Sequence, residues 1–514
     1  MVASSQPRDW KPRGSDAGMT IAVLGCALGL AGCGGSLVQS TETGLVIHWN
    51  TTRVTTNTVA TLQVVVNPPL RPGQSLGSAA FDAVRELRPD YMRFQGWLPY
   101  PKLAVAELQP PTPQATSWDL TLIDPLVKQF MTATEGHPTV MDFSTIPQWM
   151  FVTDTPVVYP NDPNQVMWNY EQGTELRDPT CQELAGYYNR LASWYVDGGF
   201  TDENGVWHES GHHYQFPLWE VLNEVDFEHS TTPEDYVKRY DAIVEGVRSA
   251  SPDTKFVGMA LGNSSNLEFI QYFLNPANHQ TDIPLDYISY HFYAGPPPQG
   301  TITDWQYSFF QQADEFLGTV RIIETIRKNF SPSTKTDIDE LGSILPTDTP
   351  PAVGVTPPPA YWNLSGALYA YLYVELARLQ IDVVGESQLV GFPTQYPSVS
   401  MMDWTTNQPN ARFWALKLLK DTFHPGDKMV ETDLTVPNAA DLEAQAFITP
   451  AGHKLLLVNK RDFATEVPLP DSGSATALTV DLQSGEGPAR RVFPSNGKIT
   501  LQPFAVTVVS WNSP

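Results

Sequence analysis

Two glutamates far apart in the chain each sit near the end of a stretch that reads as a strand. In 217–226, Pro-Leu-Trp-Glu-Val-Leu-Asn-Glu-Val-Asp, a stretch rich in Val, Leu and Trp stops at Asn223 and Glu224. In 336–342, Thr-Asp-Ile-Asp-Glu-Leu-Gly, a second run carries Glu340. Such runs read as buried parallel strands that deliver an acid to the carboxyl edge of a sheet. Two carboxylates placed in this way can hydrolyse a glycosidic bond with retention, one protonating the departing oxygen and the other attacking the anomeric carbon. Either glutamate alone would read as a solvated loop residue or a helix cap. The pairing gives the expectation its content.

The chain that must position them has 514 residues, enough for a barrel of about 250 residues or more with insertions and a smaller second domain. With 41% hydrophobic and 17% charged residues it is globular, not disordered. A formal net charge of −25 excludes the basic footprint that nucleic acid binding requires. Three cysteines cannot form a disulfide framework. Residues 1–33 read as a leader: Arg8, Lys11 and Arg13 precede an apolar run over 21–30 that is too short to span a bilayer. The leader closes on Leu30-Ala31-Gly32-Cys33, which resembles the lipobox of bacterial lipoproteins. That resemblance implies cleavage before Cys33, a lipid anchor on its thiol, and an exported body held at the cell envelope. The alternative is a cleavable secretory leader without lipid. A start at Met19 would remove the basic residues and leave export unchanged.

Residues 34–59 form a polar linker whose apolar segment at 45–47 can serve as a strand lent to a C-terminal β-domain. Strands are predicted at 61–67, 91–97, 140–144, 217–222, 256–260, 287–293, 336–342 and 383–388. Helices are predicted at 79–87, 119–131, 232–247, 308–328, 362–379 and 411–419. Thr232 caps the third of these helices, with Pro233 in its first turn. Eight βα units without a dinucleotide fingerprint or phosphate loop predict a closed (β/α)8 TIM barrel over 60–423. Short strands divided by Gly, Pro and Asn turns predict a β-sandwich over 424–514. Barrel enzymes place chemistry at the carboxyl ends of strands. The candidates are therefore Arg93 from strand two, Asn223 and Glu224 from strand four, His291 and Tyr293 from strand six, and Glu340 from strand seven.

Trp219-Glu220-Val221-Leu222-Asn223-Glu224, with a lone glutamate closing strand seven, resembles glycoside hydrolase clan A. Within it the chain is similar to glycoside hydrolase family 39, which contains β-xylosidases and α-L-iduronidases. The segment 143–147, Phe-Ser-Thr-Ile-Pro, resembles that family's Ser-Phe-Met-Pro region, and His291-x-Tyr293 agrees with it. The resemblance implies a retaining, exo-acting, β-xylosidase-like hydrolase of oligosaccharides with no cofactor and no metal. In it Glu224 is the acid/base, Glu340 the nucleophile, Asn223 a ligand of the sugar 2-hydroxyl and Trp149 a stacking surface. Another clan A activity, a glucuronidase or an endo-hydrolase, is the nearest alternative. A carbohydrate-binding lipoprotein without activity is the alternative of a different class. Two departures bear on the substrate. Val225 and Asp226 stand where the family continues with Pro, and Gly385-Glu386-Ser387-Gln388 stands where an aromatic floor is expected. A competing pattern, His208-Glu209-Ser210-Gly211-His212, satisfies His-Glu-x-x-His, but Gly205 and Gly211 predict a loop that would not align two imidazoles on a helix.

Overall fold

The computed structural model describes residues 44–511 apart from 157, 168–172, 298, 349–355 and 393–394. The expected leader, its Cys33 anchor and most of the polar linker's start lie outside the described residues. The chain opens with β1 (Gly44–Thr55), β2 (Val59–Val65), α1 (Ser75–Leu87), β3 (Met92–Gln95), α2 (Pro101–Ala104), α3 (Asp124–Ala133), β4 (Thr139–Asp142) and α4 (Gln182–Val196). A hairpin of β5 (Gly199–Thr201) and β6 (Trp207–Glu209) follows, then β7 (Leu218–Val221), α5 (Pro233–Ala250), β8 (Lys255–Leu261) and α6 (Leu267–Phe273). The barrel is completed by β9 (Tyr287–Tyr290), β10 (Phe292–Ala294), α7 (Ile302–Phe330), β11 (Lys335–Ser343), α8 (Pro359–Arg378), β12 (Val383–Glu386) and α9 (Ala411–Thr422).

Parallel pairing runs β2-β3-β4-β7-β8-β9 and continues from β9 to β11, β12 and back to β2. Eight parallel strands thus close into a ring. Period-2 alternation decides what faces where. On β3, Phe94 packs outward on Phe130 of α3 with ring centroids 5.3 Å apart, while Arg93 and Gln95 point into the ring.

β13 (Lys428–Thr435), β14 (Leu442–Thr449), β15 (Gly452–Asn459), β16 (Thr465–Pro468), β17 (Ala475–Val480), β18 (Arg490–Val492), β19 (Lys498–Leu501) and β20 (Val506–Trp511) build the C-terminal domain. Its main sheet has the order β1-β13-β14-β15-β20-β17-β18, so the N-terminal strand pairs antiparallel with β13, and β16 pairs with β19 as a separate ribbon. Both faces of this sheet are covered. Leu455 and Leu457 face the ribbon's Val467 and Ile499, whereas Leu456 and Val458 join the barrel's apolar core. Two covered faces explain why β15 reads as an unbroken apolar run.

The barrel and sandwich stand as expected, with local differences. The helices α4 and α6 and the β5–β6 hairpin were not anticipated. The buried face of α4 is Leu184, Tyr187, Tyr188, Leu191 and Tyr195, so tyrosines supply much of the apolar stripe. α7 begins at Ile302, six residues before the expected position, because Thr301 and Asp304 form a capping box there. The strand expected over 287–293 is interrupted at His291, whose N–H donates to the Leu261 carbonyl at 2.9 Å. The Thr232 side chain accepts from the Asp235 N–H, as its place before Pro233 predicts. Among the described residues no helix is long and apolar enough to cross a membrane.

α5 is locked to the strand that leads to Glu224 by Tyr236. Its hydroxyl donates to the Val221 carbonyl at 2.9 Å and accepts from the Met259 N–H at 2.7 Å, all buried. Tyr236→Phe leaves both backbone groups unpaired at nearly constant volume, and should cost about 1–3 kcal/mol in urea unfolding. An unchanged midpoint would show that the hydroxyl carries no such role.

Candidate active site

Inside the carboxyl end of the ring lies a buried cation, Arg93, and every donor on its guanidinium is used. Nε faces Glu220 and lies 3.0 Å from Asp339; Nη1 donates to Gln63 and Glu340, each at 2.6 Å; Nη2 donates to Asn223 at 2.7 Å and Asp142 at 3.2 Å. These partners come from β2, β4, β7 and its end, and β11, so one side chain ties together half of the ring. Glu340 is held from its other oxygen by the Tyr293 hydroxyl at 2.6 Å, and that hydroxyl also reaches Ser387 at 2.6 Å.

Glu224 stands across from Glu340. β7 ends in a tight turn in which Leu222 and Glu224 take left-handed backbone angles, φ 68° and 41°. The Glu224 carbonyl accepts from the Phe227 and Glu228 N–H groups at 2.8 and 2.7 Å, which secures this strained turn. His291 lies between the two acids, its Nδ1 3.1 Å from Glu224 and 3.4 Å from Glu340, with Nε2 3.4 Å from Asp339. One atom from each of Glu224, His291 and Glu340 falls within 4.8 Å of the others.

Six acids surround two cations here, and they do not share the charge equally. Burial pushes the Glu220 carboxyl well above the usual range and the Asp142 carboxyl up to about 8 despite Arg93. Asp339 goes the opposite way: burial would raise it, but Arg93 and His291 hold it well below the carboxylate range. Burial would also lower His291, yet Glu340, Asp339 and Glu224 hold it well above an ordinary imidazole. Glu224 is raised by burial, against the lowering influence of His291 and with a further upward push from Glu340 and Asp226. One ligand atom each from Glu224, His291 and Glu340 also lies close enough to the others to suit a cation, whose binding would have to displace the proton that the neighbouring carboxylates favour on His291.

Residues 205–346 match the model of glycosyl hydrolases family 39. The matched segment holds both glutamates, His291 and Tyr293. Residues 439–509 match the C-terminal immunoglobulin-like domain of D-apionate lactonase. No curated protein matches the sequence. Among solved structures, the α-L-arabinofuranosidase from Thermotoga maritima in complex with arabinose is similar at 13% identity, TM-score 0.59, over 92% of this chain and 100% of that one. The family 51 arabinofuranosidase from Xanthomonas axonopodis pv. citri gives 11%, 0.61, 91% and 99%. A family 30 endoxylanase from Clostridium papyrosolvens gives 12%, 0.54, 92% and 100%. The chain therefore has the fold of a clan A glycoside hydrolase, and the likeness to family 39 read from its motifs holds.

Of the residues expected from the sequence, Arg93, Asn223, Glu224, His291, Tyr293 and Glu340 meet in one cluster. Trp149 does not join it: its indole N–H donates to the Glu107 carbonyl at 2.8 Å and the Arg177 guanidinium lies 4.4 Å over its ring. Aromatic surface at the mouth comes instead from Trp97 and Tyr396, with ring centroids 5.8 Å apart. The Trp97 indole donates at 2.6 Å to Glu228, an acid that the sequence reading did not single out. Glu228 lies one turn beyond Glu224 and is pushed well above the usual range by burial and by Glu224's charge. Both departures from family 39 have structural roles. Asp226 accepts from the Gly262 and Asn263 N–H groups at 3.0 and 3.2 Å and fastens the loop after β8, while Val225 is fully buried. Glu386 pairs with buried Arg412 at 2.9 Å. The His-Glu-x-x-His pattern is a hairpin strand and loop in which His208 and His212 serve different carboxylates, Asp202 at 2.8 Å and Asp124 at 3.3 Å.

Because Arg93 is the shared partner of Asp142, Glu220, Asp339 and Glu340, its removal strands charge in the core. Arg93→Met should lower stability by about 3–5 kcal/mol in urea unfolding at neutral pH, with partial recovery as acid neutralises the carboxylates. A loss independent of pH would show that packing, not charge, is what Arg93 supplies.

Proposed function

We propose that the protein is a retaining glycoside hydrolase that removes sugar residues from the ends of oligosaccharides, with Glu340 as nucleophile and Glu224 as acid/base. The observation that carries this reading is the approach of the two carboxylates to within 4.8 Å across the barrel mouth. Retention needs roughly 5–5.5 Å between the carboxyl groups, whereas an inverting pair leaves room for water at about 6.5–9.5 Å. Arg93 and Tyr293 each donate to a different oxygen of Glu340, which fixes its orientation for attack on the anomeric carbon. Glu224, raised by burial, carries the proton for the departing oxygen. When Glu340 becomes esterified its charge disappears, and with it one of the influences holding Glu224 up, so Glu224 next accepts a proton from water. Asn223, oriented by Arg93, is the ligand of the 2-hydroxyl. Exo action and a β-xylosidase-like preference rest on the family 39 likeness and on the wall that Trp97, Tyr396 and Glu228 raise beside the acids. The lactonase-domain match lies in the β-domain, which contributes none of these side chains, and favours no second chemistry. Export, with a lipid anchor at Cys33, rests on the leader's sequence alone.

Azide should restore activity to Glu224→Ala on an activated aryl glycoside and should not do so in the same way for Glu340→Ala. Absence of rescue in both variants, or cleavage of a nitrophenyl xyloside with inversion, would refute the roles. Release of internal fragments from a reduced-end-labelled xylo-oligosaccharide would refute exo action.

The pH profile tests the electrostatics separately. His291 lowers Glu224's pKa, so His291→Gln should move the basic limb of kcat/KM to higher pH, since Glu224 then keeps its proton longer. A shift to lower pH would contradict the arrangement.

A further inference from the structure

The segment that imitates a zinc motif builds a different feature. In the β5–β6 hairpin Gly199 pairs with Glu209, Phe200 with His208 and Thr201 with Trp207. Alternation sends Phe200 and His208 inward. Phe200 packs on Trp118 with centroids 4.7 Å apart, and His208 lies at 5.2 Å from Phe200 and bonds to Asp202. Thr201 and Trp207 are left on the outer face, where Trp207 is 56% exposed. Gly199, at φ +152°, lets the indole lie close to the backbone, because a Cβ there would stand 2.7 Å from Trp207 Cζ2. The ring is thus seated by the fold yet open to solvent.

Trp207 borders a groove of about 320 Å³ with Asn189, Arg190, Ser193, Asp197 and Thr201, a size that suits small ligands. The Asn189 amide N–H donates to the Gly246 carbonyl at 3.0 Å, leaving its oxygen as an acceptor. The Arg190 guanidinium is already paired with Glu203 at 2.7 Å. No described residue pairs with the Asp197 carboxylate. A groove without a free cation, on a chain of net charge −25, does not suit an anionic polymer. An exposed indole beside hydroxyl, amide and carboxylate groups matches a neutral sugar, which has an apolar ring face and a rim of hydroxyls. The hairpin's place is fixed by its contacts. The hairpin packs on the loop before α3, where the Thr116 hydroxyl donates to Asp202 at 3.2 Å and the Trp118 indole to Glu203 at 3.1 Å, and none of the groove's lining residues belongs to the cluster around Glu224 and Glu340.

We propose that this groove is a second, non-catalytic binding site for a neutral polysaccharide chain, with Trp207 stacked on one ring. It tethers the enzyme to the polymer whose ends the barrel mouth trims, and the choice of sugar rests on the glycosidase reading. The test compares intact protein, Trp207→Ala and the groove-filling Ser193→Arg in affinity gels containing arabinoxylan, and in hydrolysis of nitrophenyl xyloside. Both variants should bind the polymer about tenfold more weakly while hydrolysing the small glycoside at the unchanged rate. Equal retention of all three proteins would overturn the proposal, as would absence of retention of the intact protein. A change from dimer to monomer in Trp207→Ala without loss of retention would also overturn it, marking the indole as a self-contact. Retention that depends on Trp207 in a protein with no hydrolysis would uphold this site and sink the catalytic reading. Hydrolysis with retention indifferent to Trp207 would do the reverse.

Discussion

A single guanidinium in the barrel interior sets the terms for everything at its carboxyl end. Arg93 cannot lose its proton, and it is almost wholly buried, so it must be surrounded by acceptors. The ring supplies them from strands that are neighbours only when it is closed: Gln63, Asp142, Glu220, Asn223, Asp339 and Glu340. A planar fork with five donors fixes directions as well as charge. Asn223 and Glu340 therefore inherit their orientation from a side chain that need not touch a substrate. The excess of acids over cations has the complementary effect, since not all can ionise together. Glu220 and Asp142 are driven toward neutrality, while Asp339 stays ionised.

That arrangement also tolerates strain. Left-handed angles at Leu222 and Glu224, and again at Met259 and Ala260 on the adjoining strand, are costly for any residue that carries a Cβ. They are held by bonds from both sides: Tyr236 grips Val221 and Met259, and Asp226 grips the loop that follows β8. The strain has a geometric product. An extended continuation of β7 would carry Glu224 past the rim, whereas the turn folds it back over the ring.

The large features were legible because they depend on periodicity. The apolar run ending in Glu224 announces a buried strand, and turn-divided runs after residue 424 announce antiparallel ones. What escaped was of two kinds. Helix α4 hides its stripe in tyrosines, whose hydroxyls weaken the apolar signal although the rings are buried. The supporting polar side chains carry no motif of their own, yet Gln63, Asp142, Glu220 and Asp339 all stand on inward positions of the strands, and that shared position was the available clue. Trp149 is engaged by a neighbouring loop, with Arg177 over its ring and Glu107 accepting its indole N–H, contacts that its place after a strand does not announce. The partnership of Trp97 with Glu228 joins residues 131 apart in sequence, and no local pattern encodes it.

The closing of the ring is what turns two distant acids into one site. β7 and β11 are not neighbours; β8 and β9 lie between them, so in an open sheet their ends would diverge with the twist. Closure through β9 and β11 bends that arc until the two carboxylates face one another. The same junction places His291. Strand pairing stops for one residue between β9 and β10, and the peptide N–H there bonds back to Leu261. A continuous strand would keep residue 291 in the alternation of its ladder; the break turns its imidazole to a point within reach of Glu224, Glu340 and Asp339 together. Barrel closure and the proton inventory of the site are in this sense one structural event, because the residue at the seam is also the cation between the acids.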